Sequence, residues 1–152
     1  MIKLVGNPMI DTLLRLLPQA VSRGEPLFEK PFALVTLHRP SNVDDPERLT
    51  EILAALGDMG GLRMLFPAHP RTLFNIKEWN IEISDRISIG QPMSYQEFVK
   101  AQTEASVVIT DSGGVQEETS VLGVPCVTVR SNTERPVTLE LGTNVLCPEV
   151  SG

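Results

Sequence analysis

Short apolar runs alternate along this chain with stretches whose apolar residues recur at helical spacing. Residues 10–21 place Ile10, Leu13, Leu14, Leu17 and Val21 on one helical stripe, with Pro18 expected to end or kink the helix. Residues 22–26, Ser-Arg-Gly-Glu-Pro, read as a loop, 32–37 as a short strand and 38–45 as a polar loop. Pro46 opens a helix to Leu56, with Asp44 or Asp45 placed as its N-cap. Residues 63–66 predict a strand, 72–77 a short helix and 87–89 a strand. Ser94 suits the N-cap of a helix over 95–102. The run Val107-Val108-Ile109 reads as a buried strand, 115–122 as a helix ending at Gly123-Val124-Pro125, and 126–129 as a strand. The chain shows no repeat, low-complexity tract or flexible linker.

This alternation predicts an α/β fold, a parallel sheet with helices on both faces. In such sheets ligands bind beyond the C-terminal ends of the strands. The conspicuous polar clusters all fall at such ends: His38-Arg39, His69-Pro70-Arg71, Asp111 to Gly114, and Arg130 to Arg135. The most informative is Thr110-Asp111-Ser112-Gly113-Gly114-Val115-Gln116-Glu117-Glu118, where a strand turns into a helix. Two glycines there let the backbone approach a ligand with its N–H groups unobstructed. The helix N-terminus adds unpaired donors and a partial positive charge. That describes a cradle for phosphate or diphosphate. Glu118, about one helical turn further in, is placed to accept from ribose hydroxyls, so the ligand suggested is a nucleotide.

Composition narrows the choice. The chain has 152 residues, enough for one domain with its own core. With 13 basic and 19 acidic residues its formal charge is -6, which argues against electrostatic binding of DNA or RNA. Small anionic ligands need only a local positive field. Cys126 and Cys147 show no metal spacing, and each lies in a strand-like run, so both read as buried, reduced thiols. No apolar run approaches the ~18 residues of a membrane span. Residues 1–6 lack the long apolar core of a signal peptide. The expectation is a soluble cytoplasmic protein.

Taken together, the clusters resemble a known family. Thr36-Leu37-His38-Arg39-Pro40-Ser41-Asn42-Val43-Asp44, Phe66-Pro67-Ala68-His69-Pro70-Arg71-Thr72, the Thr110 to Glu118 stretch and Thr133-Glu134-Arg135-Pro136 look like the non-hydrolysing UDP-N-acetylglucosamine 2-epimerases. Gly6-Asn7-Pro8-Met9-Ile10-Asp11 resembles the segment leading into that family's second domain. The motifs occur in the family's order along essentially the whole chain.

The resemblance implies a Rossmann-like domain that is one half of a two-domain glycosyltransferase-B-like architecture. Ser112, Gly113 and Gly114 match the family's diphosphate-binding turn, Glu118 the acid that holds the ribose, and Arg135 the arginine that reaches the phosphates. His38 matches a catalytic-site histidine near the diphosphate and sugar. Phe98, within Met93-Ser94-Tyr95-Gln96-Glu97-Phe98, falls where the family contacts uracil. The reaction so implied inverts C2 of the sugar in UDP-GlcNAc to give UDP-ManNAc. It loses the C2 proton with elimination of UDP, passes through a 2-acetamidoglucal, and re-adds UDP with the proton on the other face. No metal or redox cofactor is required. The expected partners are UDP-GlcNAc and UDP, with a separate N-terminal domain as a further candidate, and neither nucleic acid nor membrane.

This chain departs from the family in two respects. The family is about twice as long and binds substrate between two Rossmann-like domains. Residues 1–152 correspond to the second alone, and the family's final helix is not matched. The carboxylates that handle the C2 proton lie in the family's first domain, so the chain is expected to bind UDP weakly and not to epimerise alone. The family also usually has Glu where this chain has Ser41, in a loop that helps several members bind a second, regulatory UDP-GlcNAc.

Plainer roles compete at several positions. By spacing alone Ser112-Gly113-Gly114 reads equally well as a tight turn and cap. His69 could cap the helix beginning near Pro70, and Asp111 reads as a structural residue bonding loop amides rather than as a base. Arg39 and Arg71 could be cleft charges or solvated loop residues, and Trp79 reads as packing with Ile76 and Ile81. The competing functions are a UDP-sugar glycosyltransferase of the same architecture, a non-catalytic UDP-binding module, and a hydrolysing epimerase.

Overall fold

The computed structural model describes residues 6–22 and 24–148. The sequence readings that fall on residues 1–5, on Arg23 and on the chain end beyond Pro148 lie outside them. Helix α1 (Pro8–Val21) is opened by Asn7, whose side chain accepts from the Met9 amide at 3.0 Å, with Pro8 in its first turn. It begins earlier than the apolar stripe indicates. It also runs through Pro18, which does not end it. Pro18 cannot bond the carbonyl of Leu14, but Leu14 is half-exposed, while Leu13 and Ala20 are fully buried in a cluster with Val99. Packing of that stripe outweighs one missing hydrogen bond.

The remaining elements are β1 (Phe32–Thr36), α2 (Pro40–Val43), α3 (Pro46–Asp58), β2 (Arg63–Pro67), α4 (Pro70–Glu78), β3 (Ile87–Gly90), α5 (Tyr95–Glu104), β4 (Val107–Thr110), α6 (Gly113–Leu122), β5 (Cys126–Thr128), α7 (Val137–Glu140) and β6 (Asn144–Leu146). The caps follow the sequence closely. Asp45 accepts from the Arg48 amide, and Ser94 with Glu97 forms a reciprocal capping box. Gly123 closes α6 at φ 71°, a left-handed conformation that favours glycine.

The six strands form one sheet in the order β3-β2-β1-β4-β5-β6, every pair parallel. One face carries α3 and α4: Leu49, Ile52, Leu53 and Ile76 pack with Val35, Met64, Phe66 and Ile109. The other carries α5 and α6, where Ala101 and Val115 pack with Phe32, Leu34 and Val108. A sheet covered on both faces needs strands that are apolar throughout, and β1 is buried along Phe32 to Val35. Trp79 and Ile81 pack against the first cluster with Ile76, the packing role read from the sequence.

Two sequence readings are corrected here. The 38–45 stretch is not all loop: Pro40–Val43 is a helical turn because Asn42 is buried and bonds inward to Asp111 and to the Val129 carbonyl. Helix α7 and strand β6 follow β5, and β6 ends beside Cys147, where the sequence has a strand-like run. Cys126 is buried, whereas Cys147 lies just past β6 and is only partly buried. Among the described residues no helix is long and apolar enough to cross a membrane.

Candidate functional site at the switch point between β1 and β4

Strands β2 and β3 extend the sheet to one side of β1, and β4, β5 and β6 to the other. The strand order therefore reverses between β1 and β4, where a crevice opens beyond the carboxyl ends of the strands. Loops leaving β1, β4 and β5 meet there. They carry His38-Arg39, Asp111 to Gly114, and Arg130 to Arg135. The chain thus brings three of its four polar clusters together around one point.

Asp111 organises the crevice. It is fully buried, and its carboxylate accepts from the His38 amide at 3.1 Å, the Arg39 amide at 2.9 Å and the Asn42 side chain at 3.0 Å. Its Oδ1 also lies 3.0 Å from Nδ1 of His38. Burial alone would push the Asp111 carboxyl up. The hydrogen bonds from His38, Asn42 and the Arg39 amide outweigh burial and hold it below the ordinary range. The same bond raises the His38 imidazole above its ordinary value, against partial burial, which lowers it. So Asp111 is the structural residue that its position suggests, and it also orients His38. The His38 side chain is half-exposed, and its Nε2 has no partner among the described residues. Arg39 donates from Nε to the Asp111 carbonyl, and Arg71 donates to the His38 carbonyl while pairing with Asp44. Both arginines brace the loop. His69 caps α4 through Nδ1.

Among the helices longer than a single turn, the N-terminus of α6 stands apart. Helices α1, α3, α4 and α5 are each capped by a side chain, from Asn7, Asp45, His69 and Ser94. Ser112 makes no such bond to α6. The first helical bond is from the Gln116 amide to the Ser112 carbonyl. The N–H groups of Gly113, Gly114 and Val115 are therefore without a partner among the described residues. Those donors, with the helix dipole behind them, are what an anion requires. The two glycines serve different neighbours. A Cβ on Gly113 would lie 3.9 Å from Cγ of Arg135 and 3.9 Å from Oε2 of Glu134, so the Glu134-Arg135 segment stands over the turn. A Cβ on Gly114 would lie 2.6 Å from Cε of Met9, so this glycine admits α1.

Arg135 is half-exposed, with Nε 3.0 Å from Oε1 of Glu117. That approach is an ion pair without hydrogen-bond alignment, since neither Arg135 Nε nor Glu117 Oε2 has a hydrogen-bond partner. Glu118 is buried deeper than a free acceptor would be. Its Oε1 accepts from the Tyr95 hydroxyl and its Oε2 from the Gln102 side chain, each at 2.7 Å. It reaches an open pocket of about 440 Å³ lined by Pro8, Met9, Thr12 and Tyr95. The ring of Phe98 is partly buried against the Phe32 and Leu34 cluster. The aromatic residue facing Glu118 is thus Tyr95, one helical turn earlier, which sequence reasoning missed. Its signal was its place right after the Ser94 cap, at the exposed start of α5. Ser41 is exposed on α2 and lines an open cavity of about 370 Å³ with Arg39, Arg48 and Arg130.

Comparison with known proteins follows the same outline. Residues 1–151 match the family model described as UDP-N-acetylglucosamine 2-epimerase. The chain is 38% identical to a UDP-N-acetylglucosamine 2-epimerase of Methanocaldococcus jannaschii, covering 93% of this chain and 43% of that protein. It is 37% identical to a UDP-2,3-diacetamido-2,3-dideoxy-D-glucuronate 2-epimerase of Pseudomonas aeruginosa, covering 93% of this chain and 40% of that one. Among solved structures, the Methanocaldococcus jannaschii UDP-GlcNAc 2-epimerase in complex with UDP-GlcNAc and UDP superposes with a TM-score of 0.87 at 38% identity, over 95% of this chain and 43% of that one. An Escherichia coli heptosyltransferase with ADP, at 19% identity and a TM-score of 0.53, shares the fold. The chain spans less than half the length of the relatives it matches.

Proposed function

The chain belongs to the UDP-N-acetylglucosamine 2-epimerase family, and from that premise we propose that it is the UDP-binding, C-terminal half of an enzyme that interconverts UDP-GlcNAc and UDP-ManNAc. The supporting observation is the convergence at the β1/β4 switch point of His38, the uncapped α6 N-terminus and Arg135. In this reading the diphosphate rests on the amides of Gly113 and Gly114 beside Ser112, with the Arg135 guanidinium over it. Glu118 takes the ribose, and Phe98 contacts the uracil. His38 donates from Nε2 to a phosphate oxygen as the C1–O bond breaks, so that UDP leaves with the bonding electrons. The C2 proton goes to a base in the other half of the enzyme, leaving 2-acetamidoglucal. Return of the UDP oxygen to C1 and of a proton to the opposite face of C2 completes the inversion.

Residues 1–152 are then one domain of a two-domain enzyme. It binds UDP and does not epimerise without its complement. Its setting is the cytoplasm, and its product is a precursor for cell-wall and other polysaccharides. The sugar is chosen largely by the other half, as the relatives named for two different sugars suggest. The second reading is a UDP-binding module without catalysis.

Calorimetric titration with UDP, UMP and uridine tests the proposal. The expected result is binding that depends on the diphosphate and weakens roughly tenfold in Arg135→Ala, the scale of a lost charge-assisted hydrogen bond. No binding at millimolar UDP would overturn it. Binding without turnover after a complementary N-terminal half is added favours the module.

A further inference from the structure

The loop that carries Arg135 is tied to α6 through a buried set of polar side chains. Gln116, fully buried on α6, accepts at Oε1 from the Thr133 hydroxyl and from the Asn144 side chain. Asn144, also buried, accepts from Thr128 at 2.6 Å and donates to Thr138 at 3.1 Å. The set closes on the backbone of Arg135. Its amide donates to the Thr133 hydroxyl oxygen at 2.9 Å, and its carbonyl accepts from the Thr138 hydroxyl at 2.7 Å. Thr133 thus donates to the helix and accepts from the loop through one oxygen. That hydroxyl has a single proton, so the bond to Gln116 fixes its lone pairs toward Arg135.

We propose that Gln116 and Thr133 are positioning residues that set Arg135 over the N-terminus of α6, so that the guanidinium and the Gly113 and Gly114 amides meet one diphosphate. The inference rests on the reading of the α6 N-terminus as a diphosphate site. Gln116 is three residues from Gly113 on the same helix, and so moves rigidly with the amides. A loop anchored to that helix from below keeps its charge in register with those donors. The ion pair with Glu117, the next residue of α6, supports the same placement from the side-chain end.

The test uses Thr133→Val, which removes the bridging hydroxyl and keeps the shape, and Thr133→Ser, which restores it. UDP and UMP affinities are measured for both, for Arg135→Ala and for Arg135→Ala combined with Thr133→Val. Amide hydrogen exchange at Arg135 is read alongside by NMR. The expected result is a severalfold loss for UDP in Thr133→Val with UMP changed much less, recovery in Thr133→Ser, and faster exchange at Arg135 in the valine variant. In the Arg135→Ala background the valine change adds nothing, because there is no guanidinium left to place. Additive losses, or equal losses for UDP and UMP, mean that the hydroxyl only stabilises the fold and overturn the proposal. Wild-type UDP affinity retained in Thr133→Val overturns it while leaving the diphosphate site standing. Failure of the wild type itself to bind UDP overturns the reading of the site, and this inference with it. Gln116→Leu gives the same comparison from the helix side should the valine variant fold poorly.

Discussion

Nδ1 of His38 lies 3.0 Å from Oδ1 of Asp111, a carboxylate without solvent exposure. The pair joins the loop after β1 to the loop after β4, and so spans the point where the strand order reverses. It also fixes which ring nitrogen faces the crevice.

Titration of His38 should therefore occur above its ordinary 6.5, because the bond to Asp111 favours the charged ring. The stability it contributes is complete below 6.5 and is lost as pH rises through the raised value. Asp111 acts in the opposite sense. Its contribution is complete above 3.8 and is lost as pH falls through its lowered value. The pair is fully effective between those two limits. An NMR titration should show the His38 midpoint fall in Asp111→Asn. UDP affinity should decline as pH passes through that midpoint in the wild type, and that decline should disappear in His38→Ala.

Replacing Asp111 itself should cost far more than the charge pair. Its buried carboxylate receives two partly buried backbone amides and the buried Asn42 side chain. Asp111→Ala leaves those donors unpaired and should lower stability by roughly 3–5 kcal/mol. Urea denaturation measures it. A change below about 1 kcal/mol would contradict the organising role given to this carboxylate.

Two glycines should respond differently to alanine. At Gly114 the added Cβ meets the end of the flexible Met9 side chain, which can move, so Gly114→Ala should change stability by about 1 kcal/mol or less. At Gly142 it meets the Thr138 backbone carbonyl at 2.6 Å as well as Ser120. Backbone cannot yield so easily, and Gly142→Ala should cost about 1–3 kcal/mol. Thermal unfolding of the two variants side by side decides the ranking.

The Tyr95 hydroxyl donates to Glu118 at the edge of the pocket lined by Pro8, Met9 and Thr12. Burial, and then the neighbouring carboxylate, push the Tyr95 phenol well up, so it stays protonated and keeps donating through the neutral range. Tyr95→Phe should lower stability by about 1 kcal/mol, the net value of one such bond, while the fold's near-UV signature otherwise persists. Loss of folding altogether would mean that Tyr95 carries packing that its exposed position does not indicate.

Much of this was legible in the chain. Each long element announced itself by period and punctuation: the stripe of Leu13, Leu17 and Val21, the Asp45-Pro46 start of α3, the Ser94 cap, and Gly123 after α6. Those signals are local, so the sequence carries them residue by residue. Of the two late elements, Val137–Glu140 is too short for any period to show, and Asn144–Leu146 shows only as the strand-like run around Cys147. They are held in place because Asn144 bonds Thr128 and Gln116, distant in the chain, as well as Thr138 in α7 itself. The helical turn at Pro40–Val43 has the same origin, in the bonds from Asn42 to Asp111 and Val129.

The division is physical. Hydrophobic period, caps and glycine-bearing turns determined an alternating α/β chain with polar clusters at its strand ends, and the ordered motifs pointed to the epimerase family. Which clusters share a crevice depends on strand order, and strand order is set by long-range pairing and packing rather than by neighbours in sequence. Only the folded sheet, with β4 laid beside β1, brings His38 onto Asp111, sets the Thr133 to Arg135 loop over the open end of α6, and turns Tyr95 toward Glu118.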